Sequence, residues 1–136
     1  DLHVRSRRQR QMCIRDSVIK RRPLEILSRF NQNAGKMCVS SITVAELYYG
    51  AEKSEYPERN LAVIEDFLSR LSILDYQPKH AAHFGNIKAE LSKQGKLIGE
   101  NDIHIAAHAR SEGLILVSNN LREFERVPAL RTENWV

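Results

Sequence analysis

Three side chains with oxygen ligands stand at points where a parallel sheet would gather them. Glu46 comes shortly after the apolar run 37–39. Asn120 comes after the run 114–117, and Asp102 begins a helical segment behind a glycine-containing loop. Functional groups of open parallel sheets collect beyond the carboxyl ends of the strands. Two carboxylates and an amide form an all-oxygen set of the kind that Mg²⁺ or Mn²⁺ prefers, which predicts metal-assisted phosphodiester hydrolysis without a protein nucleophile.

Each of these residues also has a purely structural interpretation. Thr43 and Glu46 match a capping box, in which Glu46 only reaches back to the start of its helix. Asp102 could favour the positive end of its helix, and Asn120 could cap a short helix over 121–126. The spacing alone leaves both interpretations open.

Histidine side chains near these positions are candidates for further metal ligands. Four of the five histidines form two closely spaced pairs on predicted helices: His80, His83, His104 and His108. Such pairs can bind zinc, but neither pair encloses the Glu of an H-E-x-x-H motif, so solvated or partly buried histidines are the preferred interpretation.

Three lysines lie near the loop that leads to Asp102, and these are Lys88, Lys93 and Lys96. They could hold RNA phosphates, and the alternative is a solvated helix face.

The elements that must position these side chains alternate along the chain. Helical periodicity predicts helices over 23–35, 44–53, 57–71, 78–94 and 102–113, and short apolar runs predict strands over 37–39, 73–76 and 114–117. Helices that alternate with buried strands indicate an α/β domain with a mainly parallel sheet.

Length and composition favour one globular unit. The chain has 136 residues, 42% of them hydrophobic, which suffices for one core and not for two ordinary domains. No apolar run approaches the roughly 18 residues of a membrane span, and no signal peptide is evident, so we expect a cytoplasmic protein without membrane contact. The two cysteines, Cys13 and Cys38, form no C-x-x-C motif, which argues against a disulfide framework and a structural zinc site.

The positive charge is concentrated at the beginning of the chain. Residues 1–22 hold eight basic residues against Asp1 and Asp16, a balance of +6 within a net charge of +4, which leaves −2 for the remainder. The segment 1–17 has neither helical nor strand periodicity, and it resembles translated sequencing-adapter or assembly-junction sequence. We therefore expect 1–17 to be a non-native or disordered basic segment and 18–136 to be the folded domain. The alternative is a basic arm that contacts nucleic acid.

Three ordered motifs carry a resemblance to a known family: SSITVAELYYGAEKS at 40–54, IGENDIHIAAHA at 98–109 and LVSNNLREFERV at 116–127. Together with the ending ENWV they resemble the VapC-type toxin endoribonucleases of the PIN-domain family, over about 119 residues. The resemblance is strongest to the branch of tRNA(fMet)-specific endonucleases, which cut initiator tRNA in its anticodon stem-loop. It implies a three-layer α/β/α sandwich around a parallel sheet, with an acidic Mg²⁺ site.

The resemblance also assigns roles to individual residues. Glu46 matches the second acid of the family, Asp102 the third, which is a metal ligand, and Asn120 the fourth position. The family's first acid ends the first strand, and counting back from Val18 places it at Gln11. The resemblance therefore implies that the first strand is missing or replaced and that one catalytic Asp is absent; Asp16 lies five residues too late to match.

The expected function is a Mg²⁺-dependent endoribonuclease toxin that acts on tRNA, forms a homodimer and is silenced by a cognate VapB-like antitoxin. The alternative is a catalytically impaired PIN-fold module that keeps the antitoxin contact. A third hypothesis, a basic nucleic-acid-binding regulator, rests on the amino-terminal segment alone.

Overall fold

A five-stranded parallel sheet lies at the centre of the chain. The computed structural model describes residues 12–14, 32–33, 35–118 and 121–134. Within them the strands are β1 (Met12–Ile14), β2 (Met37–Ser40), β3 (Ser72–Leu74), β4 (Ile115–Val117) and β5 (Arg131–Glu133). The helices of the same residues, numbered in chain order, are α1 (Ser41–Glu52), α2 (Pro57–Leu68), α3 (Pro78–Lys93), α4 (Glu100–Glu112) and α5 (Leu121–Phe124).

The strands follow the order β3-β2-β1-β4-β5, and every neighbouring pair is parallel. Cys13 at the middle of β1 is in register with Cys38 of β2 and Leu116 of β4. Because parallel strands run in one direction, all five carboxyl ends lie at the same edge of the sheet. Ser40 and Val117 therefore mark the edge where the sequence predicts the site.

Helices cover both faces of the sheet. Side chains of a strand alternate between the two faces, and in β2 Cys38 packs into one apolar cluster while Val39 packs into another. The first cluster includes Ile87 of α3 and many residues of α4, and the second includes Leu47 of α1 together with α2. The arrangement confirms the predicted three-layer α/β/α sandwich with a parallel central sheet.

The predicted strands and helices downstream of residue 36 are confirmed, with ends that shift by a few residues. The strand β5 was not predicted, because Arg131–Glu133 has no apolar alternation. Most of the helix expected over 23–35 lies outside the described residues. Among the helices that the structure describes, none has the length and apolar character needed to span a membrane.

Of the two expectations for the first strand, missing or replaced, the structure supports the second, because Met12–Ile14 fills the central place of the sheet. Met-Cys-Ile is a short apolar run, and such runs suit a strand with neighbours on both sides. The strand comes from the basic segment 1–17, so the first strand is replaced rather than absent. The boundary between 1–17 and 18–136 stays a prediction.

Two glycines give a matched test of the helix geometry. Gly113 ends α4 with a φ of 69°, whereas Gly85 lies inside α3, and a Cβ would meet no atom within 4 Å at either position. We expect Gly113→Ala to lower the free energy of unfolding by about 1 kcal/mol, because L side chains are strained at positive φ. Gly85→Ala should raise it by about 0.5–1 kcal/mol, because alanine restricts the unfolded chain. Urea denaturation measures both, and changes of the same sign would contradict the assigned helix end.

Candidate functional site

Glu46 is carried by α1, whose start is fixed by Ser40. The side chain of Ser40 is the N-cap, and its Oγ accepts a hydrogen bond from the backbone N–H of Ile42 at 3.1 Å. Thr43 therefore lies inside the helix, which excludes the alternative interpretation of Thr43 and Glu46 as a capping box. Ser40 is the N-cap because it is the last residue of β2, where the backbone is still extended.

The carboxylate of Glu46 is half-buried, and its Oε1 atom is shielded from solvent. Removing a carboxylate from water is costly unless hydrogen bonds, an opposite charge or a cation compensate it. Glu46 lies in the second turn of α1, beyond the reach of the free N–H groups that begin the helix. Its position therefore suits a ligand better than a helix cap.

Asp102 lies in the first turn of α4, and it too is half-buried. The N-cap of α4 is Gly99, which offers no side chain to the helix, and Asp102 Oδ2 stands 3.6 Å from where a Cβ would lie on Gly99. The positive end of the helix dipole stabilises a carboxylate here. Asp102 thus lies where it stabilises the start of its helix, and the same position is compatible with a ligand role.

The helices of Glu46 and Asp102 are in contact with each other. A buried hydrogen bond joins them, between Ser40 Oγ and His108 Nδ1 at 2.8 Å. Glu46 comes six residues after Ser40, and Asp102 comes six residues before His108. At a rise of about 1.5 Å per residue, each acid lies about 9 Å along its helix from this shared point. That the two carboxylates meet at one ion stays a prediction.

The donor set suits a hard cation. Magnesium typically takes one or two carboxylates, keeps several waters and accepts substrate phosphates as further ligands. Glu46 and Asp102 would supply two such carboxylates, and the described residues contain no group of three or more His, Cys, Asp or Glu that could hold a metal. Asn120, the third predicted site residue, lies outside the described residues, as do Gln11 and Asp16. In sequence Gln11 precedes β1, and Asp16 is the first acid after it.

The histidines form a polar layer between α3 and α4 instead of a zinc site. His80 accepts a hydrogen bond at Nδ1 from the backbone N–H of Gln77 at 2.7 Å, and its Nε2 lies 2.9 Å from Glu112 Oε1. His83 Nδ1 accepts a hydrogen bond from Arg110 at 3.0 Å.

The other two histidines also contact separate partners. His104 Nδ1 lies 2.8 Å from the Tyr76 hydroxyl, and its ring stacks on Phe84 at 4.0 Å. His108 bonds to Ser40. Each histidine is thus engaged by a different group, which supports the preferred interpretation of the sequence.

His108 is the most deeply buried of these four histidines, with 1% of its surface exposed. Burial lowers its pKa to about 4, with further lowering by His80 and Lys79, while Glu112 and Asp75 act in the opposite direction. The ring is therefore neutral at ordinary pH. Sequence reasoning included Ser40 only as the first residue of a motif and His108 only as one of a pair, because their contact spans 68 residues.

The three predicted RNA-binding lysines differ in their surroundings. Lys88 forms an ion pair with Glu100 at 2.8 Å, and this contact lowers the pKa of the Glu100 carboxyl. Lys93 and Lys96 are exposed at the end of α3 and in the following loop. Their role in RNA binding stays a prediction, and Lys88 is the least available of the three.

Known proteins resemble this chain both in sequence and in structure. The sequence profile of the PIN domain matches residues 16–130. Over 119 residues, 88% of this chain and 90% of the relative, the sequence is 98% identical to "Ribonuclease VapC2" of Haemophilus influenzae. It is 61% identical over 118 residues, 87% of this chain and 89% of the relative, to "tRNA(fMet)-specific endonuclease VapC" of Shigella flexneri. The toxin–antitoxin complex VapBC of Salmonella typhimurium, solved with bound DNA, contains a chain that superposes with a TM-score of 0.89 at 52% identity, covering 93% of this chain and 98% of that one.

Acidification should weaken the fold through His108. The unfolded chain takes up a proton on this residue near pH 6.5, and the folded chain only near pH 4. The stability linked to His108 is therefore full above pH 6.5 and falls as the pH drops toward 4. We expect the free energy of unfolding in urea to be lower at pH 5 than at pH 7.5 by on the order of 2 kcal/mol.

The control for this prediction is His108→Asn, which cannot titrate and should lose most of the pH difference. A smaller slope should remain, because the pKa values of His83 and His104 are also lowered by burial. Equal slopes in the parent and the variant would show that His108 is not the group responsible.

Proposed function

The chain belongs to the PIN-domain family as a ribonuclease of the VapC type, and we propose that it hydrolyses phosphodiester bonds of tRNA with the help of a divalent cation. The observation that carries the proposal is the placement of two half-buried carboxylates, Glu46 and Asp102, on two helices in contact. Close relatives with names that state ribonuclease activity support the same conclusion. We place the reaction in the cytoplasm, where tRNA is found.

Glu46 and Asp102 are the residues that would hold the cation, and Asn120 would add an amide oxygen. A bound Mg²⁺ or Mn²⁺ supplies positive charge to the scissile phosphate and lowers the pKa of the attacking water. The protein contributes position and charge. The partial burial of Glu46 strengthens its attraction for a cation, since electrostatic interactions grow as water is excluded. The exposed Lys93 and Lys96 would contact RNA phosphates outside the acidic centre.

The proposed substrate is initiator tRNA. The support is the relative of Shigella flexneri, whose name specifies tRNA(fMet) and which shares 61% of its residues with this chain over the aligned region. Structured RNA is recognised largely through its shape and phosphates, and the exposed Lys93 and Lys96 could contact those phosphates.

We further propose that a VapB-like antitoxin binds this chain and that the active toxin is a homodimer. Several structural neighbours are complexes of a toxin with its antitoxin, among them those of Salmonella typhimurium and Rickettsia felis. Beyond residue 22 the chain has a net charge of −2, which favours a partner segment that carries basic side chains toward Glu46 and Asp102.

A second candidate is a catalytically impaired module that retains the fold and the antitoxin contact. The observation that favours it is Gln11, which stands where counting along the sequence places the first acid of the family. One carboxylate fewer would weaken the attraction for the cation. The two candidates share the same fold and differ only in chemistry.

The nuclease assignment predicts a metal-dependent loss in two acid variants. Purified protein is incubated with total tRNA in Mg²⁺ or in EDTA, and cleavage is followed on denaturing gels. We expect Asp102→Asn and Glu46→Gln each to reduce cleavage by about 100-fold or more, because each removes a charge from the proposed cation site. EDTA should abolish the reaction.

Matched controls come from acids on the surface of α2. Glu58→Gln and Asp66→Asn remove the same charges from exposed positions, and neither should change the cleavage rate by more than about twofold. Cleavage that survives in EDTA, or that falls equally in all four variants, would refute the proposed site.

Gln11, at the position of the family's first acid, leads to a separate prediction. We expect this chain to bind Mg²⁺ weakly and to cleave tRNA slowly. Replacing residues 1–17 with the corresponding amino-terminal segment of the 98% identical relative should raise the rate if that segment restores an Asp at the end of β1. Equal rates in the two proteins would refute impairment, and loss of activity in Asp16→Asn would then identify Asp16 as the substitute acid.

A further inference from the structure

The contact between α1 and α4 contains a polar link that the proposed chemistry does not use. Ser40, at the carboxyl end of β2, is fully buried, and so is His108 in the middle of α4. Their side chains meet at 2.8 Å. The link therefore ties the strand end from which α1 begins directly to the helix that carries Asp102.

Two proton arrangements satisfy this pair. Ser40 Oγ accepts a hydrogen bond from the N–H of Ile42 and keeps both its own proton and a second lone pair. It can therefore donate to His108 Nδ1, with the ring proton on Nε2, or accept from Nδ1–H in the other tautomer. Both arrangements contain a neutral imidazole, in agreement with the low pKa of His108.

Packing alone does not account for the imidazole. His108 Nε2 is buried and has no hydrogen-bond partner in the part of the chain that the structure describes. A buried polar atom without a partner costs free energy, and a leucine of similar size would avoid that cost. The polar contact that the ring does make is the one with Ser40.

The orientation of the His108 ring is fixed from two sides. The ring of His80 lies 4.1 Å from it, and the ring of Tyr76 meets it edge-on at 5.5 Å. His80 is itself held by the N–H of Gln77 and by Glu112. The contacts with His80 and Tyr76 therefore help to fix the position of Nδ1 in addition to the hydrogen bond with Ser40.

We propose that His108 is a positioning residue, which holds Ser40 and thereby sets the separation between Glu46 on α1 and Asp102 on α4. The inference rests on the proposed function, in which both carboxylates serve one cation. Each acid lies about 9 Å along a rigid helix from the link, so a shift of the link moves one acid relative to the other. Misplacement of a catalytic group by about 1 Å can lower a rate about 100-fold.

The test compares three variants of the full chain. His108→Leu keeps the volume and removes the hydrogen bond. In His108→Asn the amide occupies the place of Nδ1 and can still accept the Ser40 proton. Ile105→Val is the matched control, because Ile105 is a buried residue of the same helix, and the loss of one methylene weakens packing while both partners of the Ser40–His108 hydrogen bond are kept.

Two readouts are measured on each protein. Hydrogen exchange of the backbone amides of 41–44 reports whether the start of α1 is held, and it needs no activity. Titration with Mn²⁺, followed by the free-ion electron paramagnetic resonance signal, gives the dissociation constant of the metal, and tRNA cleavage gives kcat and KM. We expect His108→Leu to speed exchange and to raise the Mn²⁺ dissociation constant about 10-fold, with a lower kcat and an unchanged KM.

His108→Asn should restore most of both readouts, and Ile105→Val should leave the Mn²⁺ dissociation constant unchanged even where it lowers thermal stability. The proposal is overturned if His108→Leu binds Mn²⁺ as the parent does, if His108→Asn is as impaired as His108→Leu, or if Ile105→Val is equally impaired. A parent that binds no Mn²⁺ and cuts no tRNA, while exchange still depends on His108, refutes the proposed function and leaves the link purely structural.

Discussion

Burial of the parallel sheet on both faces is the constraint on which the other features depend. Alternate residues of β2 and β4 enter opposite apolar clusters, with Cys38 and Leu116 on one side and Val39 and Val117 on the other. Neither face can be exposed to water without losing one of the two clusters. The helices are therefore held on opposite sides of the sheet, and polar groups are displaced toward its edges.

This alternation also explains why Ser40 reaches α4. Ser40 follows Val39, so its side chain lies on the same face as Cys38, which is the face that α4 covers. A hydroxyl at the buried end of a strand needs a partner, and His108 provides it. The same residue caps α1, so one side chain links the sheet, the helix of Glu46 and the helix of Asp102.

The sequence was sufficient for the fold because the signals of the fold are local. Apolar runs predicted β2 and β4, and glycine marked the end of α4 at Gly113. The polar strand Arg131–Glu133 was not predicted, because its sequence has no strand periodicity. It becomes a strand by pairing with β4. The capping box was misplaced for a related reason: Ser40 and Thr43 are both good caps, and only the end of β2 decides between them. The family resemblance, and not the spacing, selected Glu46, Asp102 and Asn120 over their structural interpretations.

The neutrality of His108 matters for a site built from carboxylates. A protonated imidazole at a separation of about 9 Å would oppose a divalent cation by about 2 kcal/mol for each unit of cation charge, at an effective dielectric constant of about 20. Burial, together with the nearby His80 and Lys79, disfavours the second ring proton and so keeps the imidazole neutral. The two helices are thus joined by a hydrogen bond that carries no net charge. A lysine or arginine at the same place could donate a hydrogen bond to Ser40, but its charge would weaken the attraction that Glu46 and Asp102 exert on a cation.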